Sequence, residues 1–443
     1  MRLFEDRAYG PEPIANSYWA TTATAPSYPP LAGGQSCDTA IIGAGYTGLN
    51  AALELARAGQ DVVVLEAEQP GWGASGRNGG FCCLGGSAAG FTAISRQVGR
   101  DGALTYLHTE RNAVDFVRTR LTEYGIDADT HSRGETCLAH SPKAAARMRD
   151  ELGEIRDIYG IDAEILPREA LASNGFASSE FHAALTIPYG FALNPMKYVA
   201  GLARATDAAG ARIHGKSAVT GMQTAPDGRH LLQSAQGELR AANLIIATNG
   251  YSSDSMPPWL GGRYLPVPSA IIASRPLTED ELAAQGWTSR QMCYDSRNLL
   301  HYFRLLPENR ILFGLRAAWR CTEASDAATL AQARVDFARF FPAWSEVEIT
   351  HHWSGLVSLS RNLTPFAGPV PGMDRAWAAL CYHGNGVAMG SYAGALLAAQ
   401  ITGQGPATPA LMTRPLRRFE LGRWRRAILP LIYGWYGLMD RRG

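Results

Sequence analysis

The sequence predicts an α/β fold that combines a parallel sheet with a second, mostly antiparallel sheet. A short apolar strand at 39–42 leads through a glycine-rich turn into a helix from Leu49 to Ala58, and another strand follows at 61–66. The run Val62-Val63-Val64-Leu65 in that strand is continuously apolar, which is typical of a parallel strand buried on both faces. Residues 264–320 form a separate strand-rich region. Two sheets of different character are therefore expected.

The length and composition indicate an ordinary globular protein with more than one domain. The chain has 443 residues, of which 46% are hydrophobic and 18% charged, and its net charge is +1. The first residues include Glu5 and Asp6 and lack the apolar segment of a secretory signal. No run of about 18 apolar residues is present, so a cytoplasmic protein is expected.

The cysteines and histidines do not predict a metal site. The seven cysteines are odd in number and form no CxxC pair, so reduced thiols are expected. His351 and His352 are adjacent, and neighbouring side chains on a strand point to opposite faces. No metal is therefore predicted.

The turn between the first strand and the helix is a G-x-G-x-x-G motif, Gly43 to Gly48. The first glycine permits a tight turn, the second lets a phosphate approach the backbone, and the third lets the helix pack on the strand. The helix N-terminus then offers free N–H groups and partial positive charge. Glu66 ends the second strand, where an acid can accept hydrogen bonds from ribose hydroxyls. This arrangement predicts a dinucleotide site.

A second glycine-rich loop, Gly71 to Gly80, distinguishes between the possible dinucleotides. It contains five glycines in ten residues, together with Ser75, Arg77 and Asn78 as polar side chains. An NAD-binding fold does not need a second glycine loop at this point, whereas an extended FAD would use one. The sequence therefore favours FAD.

The region from Asp38 to Gly80 resembles the D-amino-acid-oxidase-like superfamily of FAD oxidoreductases. The string GWGASGRNGG within it is most similar to the gamma-glutamylputrescine oxidase branch. The similarity continues in family order through 247–251, 297–316, 353–355, 364–368, 382–387 and the closing Trp435-Tyr436. It implies a Rossmann-type FAD-binding domain that is discontinuous in sequence, and a mostly antiparallel substrate domain inserted between its parts.

The motifs and the resemblance together predict a set of cofactor contacts. In the family, a late glycine loop, which corresponds here to residues 382–387, opens a helix. The N-terminus of that helix faces the flavin pyrimidine ring, where it stabilises negative charge. The predicted contacts are Gly43, Gly45, Tyr46, Thr47, Gly48, Glu66, Ala67, Gly73, Ala74, Ser75, Arg77, Asn78, Gly79, Val219, Thr248, Asn249, Gly250, Gly384, Asn385, Gly386 and Val387.

The flavin is expected to bind without a covalent link. Sarcosine oxidases in the family tether it through a cysteine shortly before a Thr-Pro pair, but residues 358–363, which precede Thr364-Pro365, include no cysteine. Cys82 and Cys83 follow the second glycine loop. We expect them to be buried and inert, with a tethering or redox role as the alternative.

The resemblance implies substrate-pocket walls from Tyr302, Arg304, Trp353, Tyr382 and His383. Tyr302 and Arg304 alternate with their neighbours along a strand and therefore share a face. An inward Arg304 would hold a carboxylate with two hydrogen bonds. The alternative is that this face of the strand is solvated.

The expected domain division follows from these segments. It assigns 1–35 to an N-terminal arm, 36–100, 181–255 and 350–413 to the FAD-binding domain, 101–180 and 256–349 to the substrate domain, and 414–443 to a basic and aromatic tail. Within the arm, Ser17-Tyr18-Trp19 is the expected anchor. We expect the tail to dock as a helix on the FAD-binding domain or on a neighbouring subunit. Its alternative is contact with a membrane surface.

The expected function is oxidation of a small amine to an imine, which hydrolyses to an aldehyde or ketone and a new amine, with O2 reduced to H2O2. A gamma-glutamylated polyamine, an N-methylated amino acid and a free amino acid all stay open as substrates. One alternative is a dehydrogenase that passes electrons to a quinone or another carrier. An alternative of another class is a flavin-containing, RNA-associated module of the tRNA-modification type. Aromatic residues interleaved with basic ones are sparse outside the tail, and the excess of basic residues lies at one terminus, which argues against nucleic acid.

Overall fold

The computed structural model describes residues 2–316 and 318–442. Its strands, in chain order, are β1 (Gly33–Ile42), β2 (Val62–Leu65), β3 (Phe81–Cys82), β4 (Glu135–Leu138), β5 (Glu164–Pro167), β6 (Ala183–Ile187), β7 (Phe191–Ala192), β8 (Arg212–His214), β9 (Gly221–Thr224), β10 (His230–Gln233), β11 (Gly237–Ile246), β12 (Tyr264–Ser274), β13 (Met292–Asp295), β14 (Tyr302–Leu305), β15 (Ile311–Arg316), β16 (Ile349–Ser360), β17 (Phe366–Pro369) and β18 (Ala376–Leu380).

The helices connect and cover these strands. In chain order they are α1 (Glu12–Ala15), α2 (Tyr18–Thr22), α3 (Tyr46–Arg57), α4 (Phe91–Glu123), α5 (Pro142–Tyr159), α6 (Arg168–Leu171), α7 (Pro195–Ala208), α8 (Glu279–Gln285), α9 (Glu323–Phe340), α10 (Ala388–Thr402), α11 (Ala410–Thr413) and α12 (Leu429–Arg442). Short 3-10 turns include Ala74–Gly76, Asn249–Tyr251 and Gly422–Ile428.

The first sheet has β1 at its centre and is mostly parallel. Its order is β17-β18-β11-β1-β2-β8, and β10 and β9 extend from β11 as antiparallel neighbours. Ile42 of β1 pairs with Leu65 of β2 and with Ile246 of β11. The three parallel strands therefore end at the same level, which is where α/β sheets bind their ligands. Helices α3, α7 and α10 pack together on one face of this sheet.

The second sheet has the order β16-β12-β15-β14-β13-β4-β6-β5. Every neighbouring pair is antiparallel except β13 and β4. Phe303 and Phe313 lie opposite each other and pack with Phe337 and Phe340 of α9. Because side chains alternate along a strand, the other face of β14 carries Tyr302 and Arg304, which contact loops of the first sheet.

The predicted α/β class and the two kinds of sheet are confirmed, while several element boundaries were wrong. Helix α3 begins at Tyr46, within the glycine motif, and not at Leu49. Strands β6 and β16 belong to the second sheet, although they lie in segments 181–255 and 350–413 of the predicted FAD-binding domain. The domain division itself stays a prediction.

The two ends of the chain dock on the protein body. Phe4, Ala8, Trp19 and Leu31 are all buried, so the N-terminal arm has more anchors than the one predicted. These four residues are too widely spaced in the sequence to form a helix or strand pattern, so their burial is visible only in the tertiary structure.

The C-terminal helix docks on the second sheet of the same chain, whereas docking on the FAD-binding domain or on a neighbouring subunit was expected. Leu429 of α12 packs against Leu265 and Val267 of β12. Before the helix, Arg425 donates to both carboxylate oxygens of Asp254, at 2.6 and 2.9 Å. No helix within the described ranges is both long and apolar enough to cross a bilayer.

Candidate active site

A deep cleft opens at the carboxyl ends of β1, β2 and β11. It contains about 1190 Å³ of space, including its solvent mouth. Of the predicted site residues, those that line it are Gly43, Gly45, Tyr46, Thr47, Glu66, Ala67, Gly73, Ala74, Ser75, Asn78, Val219, Thr248, Asn249, Tyr382, His383, Gly384, Gly386 and Val387. Segments far apart in the sequence therefore meet around one cavity.

Other predicted residues lie outside the cavity wall, and some wall residues were missed. The residues outside the wall are Gly48, Arg77, Gly79, Gly250, Tyr302, Arg304, Trp353 and Asn385. The wall residues that were not among the predicted site contacts are Ile42, Leu65, Gly71, Trp72, Ala247, Tyr251, Leu356, Val357 and Ser358. Ile42, Leu65 and Ala247 could have been found from the sequence, because they end or directly follow the predicted parallel strands.

The β1–α3 turn uses each of its three glycines differently. Gly43 has a φ of +107°, which L-residues rarely adopt. A Cβ on Gly48 would lie 1.9 Å from the carbonyl oxygen of Gly43, so only glycine lets the helix pack this closely. A Cβ on Gly45 would lie 2.8 Å from Oγ of Ser75, inside the cleft. The amide of Tyr46 donates to that same Oγ at 3.0 Å, so the helix N-terminus directs its N–H groups into the cleft.

Glu66 lies at the end of β2, in the cleft wall. Its carboxylate accepts from the amide of Ala44 at 2.7 Å and from that of Glu68 at 3.1 Å. Burial raises the pKa of Glu66, and the two amides oppose that shift. A carboxylate held in this way has remaining lone pairs that could accept ribose hydroxyl groups.

The second glycine loop is held in place through three consecutive carbonyl groups. The carbonyl of Arg77 accepts from Nε1 of Trp353 at 2.8 Å, and that of Asn78 accepts from Nε1 of Trp19 at 2.8 Å. The carbonyl of Gly79 accepts from Nε of Arg304 at 3.0 Å. The N-terminal arm and the second sheet therefore both fix the shape of this loop.

Arg304 does not lie on a solvated strand face. It is 1% exposed, and Nη2 also donates to the carbonyl of Leu193 at 2.7 Å. Nη1 lies 2.9 Å from Nε2 of His131. Since arginine can only donate, Nε2 of His131 accepts and its Nδ1 donates to the carbonyl of Asp129 at 2.8 Å. Burial and the charge of Arg304 lower the pKa of His131 to about 4, which keeps the ring neutral.

Arg77 also acts as a support beneath the loop. Its guanidinium stacks over the ring of Trp72 at 4.6 Å and donates to the carbonyls of Trp72 and Ser354. It is 2% exposed. Arg77 therefore joins the second glycine loop to β16, while its neighbours Ser75 and Asn78 line the cleft.

The late glycine loop enters α10 through unusual backbone. Cys381 and His383 have φ values of +67° and +52°, and Gly384 has +111°. Non-glycine residues in this region are costly and are concentrated at functional sites. Helix α10 has no side-chain cap, and the amides of Met389 and Gly390 already donate to the carbonyls of Asn385 and Gly386. The amides left to face the cleft are therefore those just before them, at Gly386 and Val387 in the cleft wall.

Tyr382 and His383 occupy different environments in this loop. The hydroxyl of Thr47 donates to the carbonyl of Gly390, so the Tyr382 hydroxyl must donate to Thr47 Oγ1, at 2.8 Å. Tyr382 thus ties the loop before α10 to α3, and the bond from Thr47 to Gly390 ties α10 itself to α3. Burial lowers the pKa of His383 to about 4. Its Nε2 lies 3.2 Å from Oγ of Ser360, and its buried Nδ1 has no hydrogen-bond partner among the described residues.

The cysteines near the cleft are buried and weakly acidic. Burial raises the pKa of both Cys82 and Cys83, which disfavours the reactive thiolate. Cys381 is also fully buried, and its sulfur lies 3.4 Å from Oγ of Ser358. Within residues 2–316 and 318–442, no group of three or more His, Cys, Asp or Glu residues is placed to hold a metal ion.

The sheet, the two glycine loops and the uncapped helix facing one cleft define a dinucleotide-binding oxidoreductase of the flavin type. The family model described as DAO, FAD dependent oxidoreductase, matches residues 38–400. The chain belongs to this family and is an FAD-dependent oxidoreductase that acts on C–N bonds of amines or amino acids.

Two similar relatives cover nearly the whole chain. The probable oxidoreductase OrdL of Rhizobium meliloti (strain 1021) is 31% identical over 427 residues, which are 96% of this chain and 97% of the relative. The gamma-glutamylputrescine oxidoreductase of Escherichia coli (strain K12) is 31% identical over 440 residues, 97% of this chain and 99% of the relative.

Solved structures show the same fold at lower identity. Glycine oxidase from Geobacillus kaustophilus aligns with a TM-score of 0.69 and 20% identity, covering 86% of this chain and 99% of its own. L-Proline dehydrogenase from P. horikoshii aligns with a TM-score of 0.68 and 18% identity, covering 86% of this chain and 96% of its own.

The residues around the cleft fit FAD. The space beside Gly45 is one that a Cβ would fill, and the α3 N-terminus next to it suits a pyrophosphate. The N-terminus of α10, which has no side-chain cap, reaches the same cleft through Gly386 and Val387, whose amides could meet the polar edge of the flavin ring. Glu66 suits the ribose.

Proposed function

We propose that this protein oxidises a small amine that also carries a carboxylate, as a gamma-glutamylated polyamine or an amino acid does, with O2 as the electron acceptor. The observation that supports this is the position of Arg316, at the end of β15. Burial lowers the pKa of His383, and the positive charge of Arg316 lowers it further. Burial raises the pKa of Tyr302, and the charge of Arg316 opposes that rise. Arg316 therefore lies near both the cleft wall and the overlying sheet.

The register of the second sheet supports this position for Arg316. Gly314 pairs with Tyr302, and the missing side chain at Gly314 leaves room for the tyrosine ring. Arg316 is two residues further along β15 and therefore shares that face. It pairs with Ser269, whose Oγ lies 3.0 Å from the Tyr302 hydroxyl. No carboxylate of the described residues forms an ion pair with Arg316.

Residues of this chain would bind and orient the substrate between the cleft and the second sheet. Bound FAD supplies an acceptor for the hydride on the carbon beside the amine nitrogen. Arg316 would hold the substrate carboxylate with charge-assisted hydrogen bonds. His383 stays neutral at pH 7 because its pKa is about 4, so it does not repel the amine.

The amine must lose its proton before the hydride can leave. An alkylamine in water has a pKa near that of lysine, about 10.4, so only about one molecule in a thousand is neutral at pH 7. The cleft and its roof bury Trp353, Tyr382 and Leu356. A low-polarity enclosure of this kind disfavours the ammonium form and lowers the pKa of the bound amine.

A panel of amines, scored by anaerobic bleaching of the flavin absorbance, tests the proposal. Amines with a carboxylate should bleach the flavin, and admission of air should restore it with formation of H2O2. Arg316→Gln should raise the KM for these substrates about ten- to a hundredfold, the range of a charged hydrogen bond, with a smaller change in kcat. Arg320→Gln, at an exposed position nearby, is the matched control and should change neither.

Two results would contradict parts of the proposal. If Arg316→Gln affected amines with and without a carboxylate equally, Arg316 would not be the carboxylate ligand. If air did not restore the bleached flavin but a quinone did, the protein would be a dehydrogenase. If only alcohols or hydroxy acids bleached the flavin, amine oxidation itself would be wrong.

A further inference from the structure

The C-terminal segment carries an unusual amount of exposed apolar surface. Ten large hydrophobic side chains are exposed among the described residues, and eight of them lie between Leu421 and Met439. Leu431 is 75% exposed, Trp424 66% and Trp435 60%. Contiguous apolar surface of this kind on a folded protein marks an interaction site.

Helix α12 presents two apolar stripes on opposite sides. The inner stripe includes Leu429, which is buried, and Tyr433, which packs beside it against the second sheet. The outer stripe is Leu431, Trp435 and Leu438, at the i, i+4, i+7 spacing that places side chains on one face. One stripe therefore explains how the helix docks on the protein, and the other has no partner within the described chain.

Contacts at its far end hold the helix in this orientation. The carboxylate of Asp440 accepts from the amide of Asn298 at 2.8 Å and from that of Leu299 at 3.0 Å. These bonds lie about three turns along the helix from buried Leu429. The outer stripe is therefore presented on a fixed helix and not on a loose tail.

The charge around the outer stripe is positive. Exposed arginines flank it on the preceding segment and at the helix end, and these are Arg417, Arg418, Arg423 and Arg441. The two acids of the segment are already bound, since Glu420 pairs with Arg361 at 2.7 Å and Asp440 accepts the amides described above. Glu420 is exposed, but its charge is offset by Arg361, so the excess charge beside the apolar stripe is positive.

We propose that this C-terminal face, the outer side of α12 together with residues 421–428, binds the surface of an anionic lipid bilayer. A helix of 14 residues is about 21 Å long, too short to span a bilayer but suited to lie in its interface. Tryptophan and arginine are the residues that anchor proteins at this depth. A second copy of the chain fits less well, because a symmetric contact would bring the same arginines against each other.

Vesicle co-sedimentation of the full-length, FAD-loaded protein tests this proposal. The protein should pellet with phosphatidylcholine vesicles that contain phosphatidylglycerol, and far less with pure phosphatidylcholine. The double variant Leu431→Ser, Trp435→Ser should lower the partition coefficient tenfold or more, equivalent to about 1.4 kcal/mol. Replacing Arg417, Arg418 and Arg423 by Gln should lower it roughly fivefold per arginine, and added salt should have the same direction of effect.

A matched control separates this face from exposed apolar residues in general. Val335 on α9 is 64% exposed, so Val335→Ser should leave vesicle binding unchanged. All variants should keep the flavin absorbance of the parent, since none of these side chains lies in the cleft. They should also keep its melting temperature, since all of these side chains are exposed. Light scattering without lipid should show no association that depends on the outer stripe.

Three outcomes would overturn the proposal. The first is no sedimentation with anionic vesicles, and the second is equal sedimentation with neutral and anionic ones. The third is concentration-dependent dimerisation that Leu431→Ser, Trp435→Ser abolishes, which would assign this face to a second copy of the chain.

Discussion

Replacement of Gly45 by alanine should weaken FAD binding without unfolding the protein. The new Cβ would lie 2.8 Å from Oγ of Ser75, the flexible end of a side chain that can turn away. In turning, Ser75 would lose its contact with the amide of Tyr46, at 3.0 Å. The methyl group itself would occupy the space beside the α3 N-terminus, where the pyrophosphate is expected.

The structure separates this effect from a purely structural one at Gly48. There the new Cβ would lie 1.9 Å from the carbonyl oxygen of Gly43, and backbone cannot turn away as a side chain can. Gly48→Ala should therefore force α3 from β1 and cost about 1–3 kcal/mol of folding free energy. For Gly45→Ala, the lost hydrogen bond is worth about 1 kcal/mol, and the contact with phosphate adds to it. We expect the Kd for FAD to rise at least about tenfold.

The assay is titration of the apoprotein with FAD, followed by flavin fluorescence, alongside thermal unfolding without FAD. Gly34→Ala is the control, because a Cβ there meets nothing within 4 Å and Gly34 has no positive φ. Gly45→Ala should change the Kd and keep the melting temperature of the apoprotein, while Gly48→Ala should lower that temperature. If Gly45→Ala bound FAD as tightly as the parent, the pyrophosphate would not lie beside Gly45 and the site would be misplaced.

Two further predictions concern the flavin link and a buried histidine. Acid precipitation should release FAD into the supernatant, because residues 358–363 hold no cysteine and burial raises the pKa of the Cys82 and Cys83 thiols; flavin in the pellet would show a covalent bond. Burial opposes a charge on His301, but the carboxylates at 2.8 and 3.3 Å outweigh it and raise the pKa of the ring. A raised pKa contributes stability that is complete below about pH 6.5, the unfolded value, and is lost as pH rises through the folded value. The melting temperatures of the parent and His301→Gln should therefore converge as the pH is raised in thermal unfolding scans, and a gap that widened would contradict this.

The sequence by itself determined the features that depend on neighbours in the chain. The two glycine loops, the apolar strands beside the first of them and the late glycine loop are each encoded in fewer than about a dozen consecutive residues. Their backbone geometry follows from residue type, as at Gly43, because few other residues adopt its φ. The α/β class and the FAD cofactor could therefore be predicted from the amino-acid sequence, and the family resemblance that these motifs carry implied the enzyme class.

Only the tertiary structure decided which side chains support the loops and which face the cleft. Trp353, Trp19 and Arg304 bind three consecutive carbonyls from positions 276, 59 and 225 residues away in the chain. The family resemblance implied that Trp353 and Arg304 belong to the pocket wall. The strand pattern could not test this, because it shows that side chains share a face but not what that face meets. The same limit applies to α12, whose two stripes look alike in sequence. Burial of one stripe and exposure of the other depend on packing against β12, a contact between residues more than 150 positions apart.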